Sequence, residues 1–253
     1  MSPTLATASN PVAAIDRPYD FSLWLNGVWG DVFSWTLDAA AALGDAQHHS
    51  SDPPLAQVAV AASEVGVVRR ALAPFRDPQG NAAYTSPVAY PTSTGSDFPQ
   101  LLAGLAAMIA AGVPLRCVSL SSDTHPSRTQ TFTSGLTLIA DALAAFQSDL
   151  EARGIDDRVL VHVWSEFGRR AQENGSKGTD HGAAGASLLI GTRSTGTMVG
   201  EWPGLTSLDA NGNQIENVDY RGVYCSLLEQ WFGQDGGAVI PSAGQFTRYK
   251  LIR

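Results

Sequence analysis

The feature that most constrains this chain is the run Arg158-Val159-Leu160-Val161-His162-Val163-Trp164. It is apolar on both faces and too short for a helix, which predicts a strand buried between helices. Directly before it, residues 131–153 repeat Leu136, Ile139, Leu143, Phe146 and Leu150 at helical spacing, with Gly154 placed to end the helix. Upstream, Leu101, Leu102, Leu105, Met108 and Ile109 mark another helix, stopped by Gly112-Val113-Pro114, after which 115–120 reads as a second short strand. Strand, helix, strand in that order is one βαβ unit, and its crossover makes the two strands parallel. A further apolar strand is expected over 182–191, and a terminal amphipathic helix over 219–232, carrying Val223, Leu227, Leu228 and Trp231. The expected fold class is α/β, a mostly parallel sheet flanked by helices. The 253 residues fit a single domain over 1–253, with 1–97 irregular and helical (helix-like at 32–43 and 55–72) and 98–253 the α/β core.

Charge narrows the partners. Sixteen basic against twenty-four acidic residues leave a net charge of −8, and no basic run exceeds the pairs Arg69-Arg70 and Arg169-Arg170. That pattern lacks a nucleic-acid or anionic-membrane footprint, so the expected partner is a metal or a small ligand. The apolar stretch 101–115 is broken by Gly104, Gly112 and Pro114 and is too short for a bilayer span, so no membrane helix is expected. The first ten residues carry no basic residue and no following apolar block, so as written the chain is expected in the cytoplasm. Cys117 and Cys225 belong to no Cys-x-x-Cys pair and are read as small buried hydrophobes. Gly-x-Ser-x-Gly, Walker-type and dinucleotide-binding motifs are all missing, which leaves serine-hydrolase, nucleotide and nicotinamide chemistry without support.

Parallel strands release their following loops at the same carboxyl edge, where open α/β sheets bind ligands. In this chain those loops carry Asp123 and His125, then Glu166, then Asp180 and His181. Carboxylates and imidazoles are the donors of zinc and of harder divalent cations. The competing reading is that Asp123 and Asp180 cap turns while the histidines make ordinary hydrogen bonds. Between the motifs lie Gly168-Arg169-Arg170 and Glu173-Asn174-Gly175-Ser176-Lys177-Gly178. Their guanidinium groups match phosphate or sulfate oxygens bidentately, although Arg169 is equally placed to pair with Glu166 three residues before it, and Lys177 to be solvated. Asn174-Gly175-Ser176 also fits a glycosylation sequon, to which a chain without an export signal gives little meaning. His162 alternates with apolar neighbours as a satisfied, hydrogen-bonded core histidine, His48-His49 sits in a polar loop as a solvated pair, and Asp209-Ala210-Asn211-Gly212-Asn213 reads as a β-turn rather than a calcium loop.

Trp164-Ser165-Glu166-Phe167-Gly168-Arg169, Glu173-Asn174-Gly175-Ser176 and Gly178-Thr179-Asp180-His181-Gly182 together resemble the signature of the domain of unknown function 1501 family. The resemblance runs from about Tyr19 to the C-terminus. It extends to an actinobacterial branch through Asp149-Leu150-Glu151-Ala152-Arg153-Gly154, Trp202-Pro203-Gly204-Leu205 and Tyr224-Cys225-Ser226-Leu227-Leu228-Glu229-Gln230-Trp231. It implies an alkaline-phosphatase-like fold of the phosphatase and sulfatase superfamily, with divalent metals at the carboxyl edge of a mostly parallel sheet. Carried over, it implies one metal site from Asp123, His125 and His181. Glu166 stands at a second site, followed by Phe167 where superfamily relatives have His, and Asp180 either ligates or orients His181. Two departures accompany it. The family's opening strand with its Gly-Gly-x-Asp-Gly-like loop and the nucleophile region are missing, and Ser121-Ser122 replaces Gly-Gly before Asp123, so the domain is expected to be N-terminally incomplete. Relatives are often exported by the twin-arginine route.

Two functions follow as expectations. The first is a metal-dependent hydrolase of phosphate or sulfate esters, with zinc, manganese or calcium held by Asp123, His125, Asp180, His181 and Glu166. Glu166 and Arg169 would act on a small anionic substrate. The second is a non-catalytic metal-binding or interaction domain, or a truncated remnant of such a hydrolase. Residue pattern specifies no oligomeric state.

Overall fold

The computed structural model describes residues 30–77, 81–122 and 129–253. These fall into two compact units, one comprising residues up to 87 with 100–120, the other 88–99 with 121–253.

In the first unit, α1 (Gly30–Gln47) and α2 (Pro53–Leu72) pack together as a helical hairpin. Asp52 caps α2 by accepting from the Leu55 N–H, and Pro53 fills the first helical position, where an amide hydrogen has no partner to lose. Small residues let the helices approach closely. A Cβ on Gly44 would stand 2.5 Å from the Ala59 carbonyl oxygen, and one on Gly66 2.6 Å from the Ala41 Cβ. Leu37, Ala41, Ala59 and Leu72 are buried, and Arg69 pairs with Asp38 across the two helices. Helix α3 (Phe98–Ala110), most of which belongs to this unit, buries Leu102, Leu105, Ala106, Ala107 and Met108. It closes at Gly112, whose φ of 78° permits the two terminal bonds Gly112 N–H to Ile109 and Val113 N–H to Met108. The predicted strand over 115–120 does not form: those residues are irregular, mostly exposed and outside any strand. Cys117 lies within them and is exposed, contrary to its reading as a buried hydrophobe.

The second unit is built on α4 (Thr129–Ala152), which ends at Gly154 as its sequence predicts. Gly154 takes a φ of 65°, and the Ile155 N–H reaches back to the Leu150 carbonyl. Ala142, Leu143, Phe146 and Leu150 form its buried stripe. Asp149 is wholly buried on the same helix, a costly place for a carboxylate, and is compensated by Arg153 Nε and by the Tyr90 hydroxyl at 3.0 Å.

The strands are β1 (Val161–Val163), β2 (Gly168–Glu173), β3 (Thr179–Gly182) and β4 (Leu188–Ile190). They make two separate two-stranded sheets, β1 with β4 and β2 with β3, and both pairs are antiparallel. The molecule therefore mixes helix and strand, as expected, but the strands are not parallel. The expected parallel partner of β1, residues 115–120, forms no strand, and β1 instead pairs antiparallel with β4, which follows the β2–β3 hairpin.

Helix α5 (Tyr220–Gln230) is capped by Asp219, which accepts from the Arg221 N–H. Leu227, Leu251 and Ile252 form a core cluster against Leu160, Leu189, Val223 and Trp231. His162, from β1, meets the Tyr224 ring edge-on at 5.7 Å, and its buried Nε2 has no hydrogen-bond partner among the described residues. Burial holds its pKa below the ordinary value; the residue is half-buried as its apolar neighbours predict, but not hydrogen-bonded at Nε2 as a satisfied core histidine would be. The 209–213 segment makes the predicted turn: the Asp209 carboxylate collects the N–H groups of Asn211 and Asn213 and the Asn213 amide. Those bonds, the Asn213 side chain first, lower its pKa. Cys225 is buried and His48 and His49 are exposed, as their surroundings in the sequence predict.

Candidate functional site

The residues singled out between 165 and 181 lie on a hairpin where the sequence predicts a loop. Its turn is closed by Asn174, whose N–H donates to the Gly178 carbonyl while its side-chain oxygen accepts from Ser176 and Gly178 N–H at 2.9 and 3.0 Å. Lys177 completes the turn with a φ of 58°. Asn-Gly at 174–175 is the local signal for this hairpin, a turn-forming dipeptide between two segments able to extend.

At the other end the two strands cross through glycines. Gly168 pairs with Gly182, and Arg169 with His181. No side chain fits at the crossing: a Cβ on Gly168 would stand 1.5 Å from the Ala184 carbonyl oxygen, and one on Gly182 2.6 Å from the Arg169 carbonyl carbon. With the crossing bare, the flanking side chains meet. Phe167 and His181 stack with ring centroids 3.8 Å apart and planes 23° from parallel, and the Arg169 guanidinium carbon lies 5.4 Å from the Phe167 centroid. Arg169 is further fixed by Nη1, which donates to the Thr179 carbonyl at 2.8 Å across the hairpin. That bond takes the place of the ion pair with Glu166 that the i,i+3 spacing offers.

Consecutive residues of a strand point to opposite faces. His181 therefore shares a face with Arg169 and Phe167, while Asp180 lies on the other, where its Oδ1 accepts from the Asn174 amide at 3.1 Å. Asp180 thus supports the turn. Glu166 is exposed just before β2, and the Ser165 hydroxyl beside it donates to the Phe167 carbonyl at 2.9 Å. Asp123 and His125 lie outside the described residues. Sequence reasoning finds Arg169 and His181 by residue type, but misses Phe167 as a partner of both and Asn174 as the organiser of the turn.

Chemically, this hairpin offers an imidazole and a guanidinium side by side, with two carboxylates near in sequence. These are donors that suit zinc or manganese and a group that suits an oxyanion. Among the described residues no three His, Cys, Asp or Glu side chains are gathered so as to hold a metal ion. No helix among the described residues is long and apolar enough to cross a membrane.

A family model described as "Protein of unknown function (DUF1501)" matches residues 55–220, well over half of the chain, including the whole hairpin. No curated protein and no solved structure matches.

Proposed function

The chain belongs to the DUF1501 family, proteins of unknown function, and from that premise we propose that it is a metal-dependent hydrolase of phosphate or sulfate esters. The observation that supports the reading is the pairing of Arg169 with His181 across the hairpin, which sets a guanidinium, a group suited to oxyanions, beside an imidazole, a group suited to metals. His181 would hold a divalent ion together with Asp123 and His125, and Glu166 would complete or support a second. When bound, such an ion supplies Lewis acidity toward the ester. Arg169 binds the anionic group, and its bond to Thr179 fixes the direction in which the remaining guanidinium donors point. The alkaline-phosphatase-like superfamily assignment belongs to this proposal.

The test is turnover of an aryl phosphate and an aryl sulfate by the full chain, supplied in turn with zinc, manganese and calcium. Metal-dependent turnover that falls at least about a hundredfold in both Arg169→Ala and His181→Ala supports the reading. Absence of turnover with every metal refutes it. A second reading, a non-catalytic metal-binding or interaction domain, is favoured by one observation: Glu166, Asp180 and His181 are all exposed, whereas catalytic groups usually work in sites that exclude water. Retained metal binding without turnover is its outcome.

A further inference from the structure

The hairpin contains a residue to which neither its chemistry nor its family gives a role. We infer that Phe167 is the positioning residue of this site, holding the His181 imidazole and the Arg169 guanidinium against one ring so that the metal ligand and the anion-binding group are kept side by side. The inference rests on the reading of the hairpin as an anion and metal locus, and adds how that locus is kept in order.

Phe167 carries no reactive group, and its neighbours explain its placement. It is only part-buried, so filling a core is not its main use. Its ring stacks on His181 at 3.8 Å and lies 5.4 Å from the Arg169 guanidinium carbon, so one apolar side chain touches both polar groups. Phe167 and Arg169 are two apart and share a face of the strand, and the glycine crossing of 168 with 182 lets the imidazole of the opposite strand close on the ring. Arg and His side chains near a surface otherwise sample many rotamers, and each ordered on binding weakens the complex. Contact with one ring removes that freedom from both before a ligand arrives. Among the described residues the His181 ring makes no hydrogen bond, so the stack is what orients it.

The test compares Phe167→Leu, which keeps apolar volume without a π face, with Phe167→Tyr, which keeps the ring. Both are made in the full chain and titrated separately with inorganic phosphate and with zinc, and the His181 ring protons are followed by NMR. Phe167→Leu is expected to weaken phosphate binding about three- to fivefold and to move the His181 ring-proton signals out of their ring-current-shifted positions. Phe167→Tyr is expected to restore both. Should Phe167→Leu fail to fold, Phe167→Met makes the same comparison. Phosphate affinity in the Leu or Met variant equal to wild type, with the His181 signals unmoved, overturns the role of Phe167 and leaves the hydrolase reading standing. A wild-type chain that binds neither phosphate nor zinc overturns that reading, and this inference with it.

Discussion

The C-terminal segment and the β2–β3 hairpin use similar polar side chains to opposite ends. Around α5 those groups are committed to the chain itself. Gln230 donates to the Tyr249 carbonyl and accepts from the Leu251 and Ile252 N–H groups, pinning the end of the chain to the helix. Ser226, wholly buried, donates to Gly222 and accepts from Tyr249 N–H, while Glu229 and Arg248 form an ion pair. On the hairpin, Glu166 and His181 face solvent without comparable partners among the described residues, and Arg169 has one of its donors engaged. Where polar groups are satisfied internally they explain stability. Where they are left exposed, as on the hairpin, they are open to solvent or to a ligand.

The contrast can be broken in steps of decreasing size. Gly168→Ala forces a methyl into the Ala184 carbonyl, and should cost about 3 kcal/mol or more and abolish phosphate binding, as measured by urea unfolding and titration. A variant of wild-type stability would mean that the backbone at 184–185 yields to make room at Gly168. Gln230→Ala leaves three part-buried backbone groups without their side-chain partner, and should lower the unfolding free energy by about 2–3 kcal/mol without changing ligand binding. Ser226→Ala should cost about 1–2 kcal/mol, again with binding unchanged. Arg169→Ala and His181→Ala should do the reverse, altering stability by less than about 1 kcal/mol while removing phosphate and zinc binding respectively.

The smallest effect is one of pH. His162 has its pKa lowered by burial in the folded chain, so the unfolded chain binds the proton first as pH falls. Its contribution to stability is therefore complete above the ordinary histidine value of about 6.5 and is lost as pH falls from there through the lowered folded value. His162→Phe should flatten the stability profile over that interval in unfolding curves taken at successive pH values. An unchanged slope would place the titration elsewhere.

The helices are the most legible part of the chain, because 3.6-residue periodicity recurs over many residues and glycines mark the ends. Gly112 and Gly154 close α3 and α4 where the sequence puts them. Strands of three or four residues leave too little pattern for pairing to be read. The apolar run at 158–164 forms β1, but its partner and direction depend on contacts remote in sequence, which is why an expected parallel sheet gives way to antiparallel pairs. The site divides likewise. Arg169 and His181 stand out by chemistry, yet their alignment comes from register, and register comes from two glycines where no side chain fits. The turn at Asn174-Gly175 carried the missing information, as a hairpin signal inside a segment read as one long loop.

The most direct test of the account is the metal content of the purified, dialysed full chain, by elemental mass spectrometry, for wild type and His181→Ala side by side. The account predicts a stoichiometric divalent metal in wild type, present as purified or after reconstitution, and a clear loss in the variant. Wild type without metal after reconstitution, or a variant that retains it undiminished, would contradict the assignment of this hairpin as a metal and anion site.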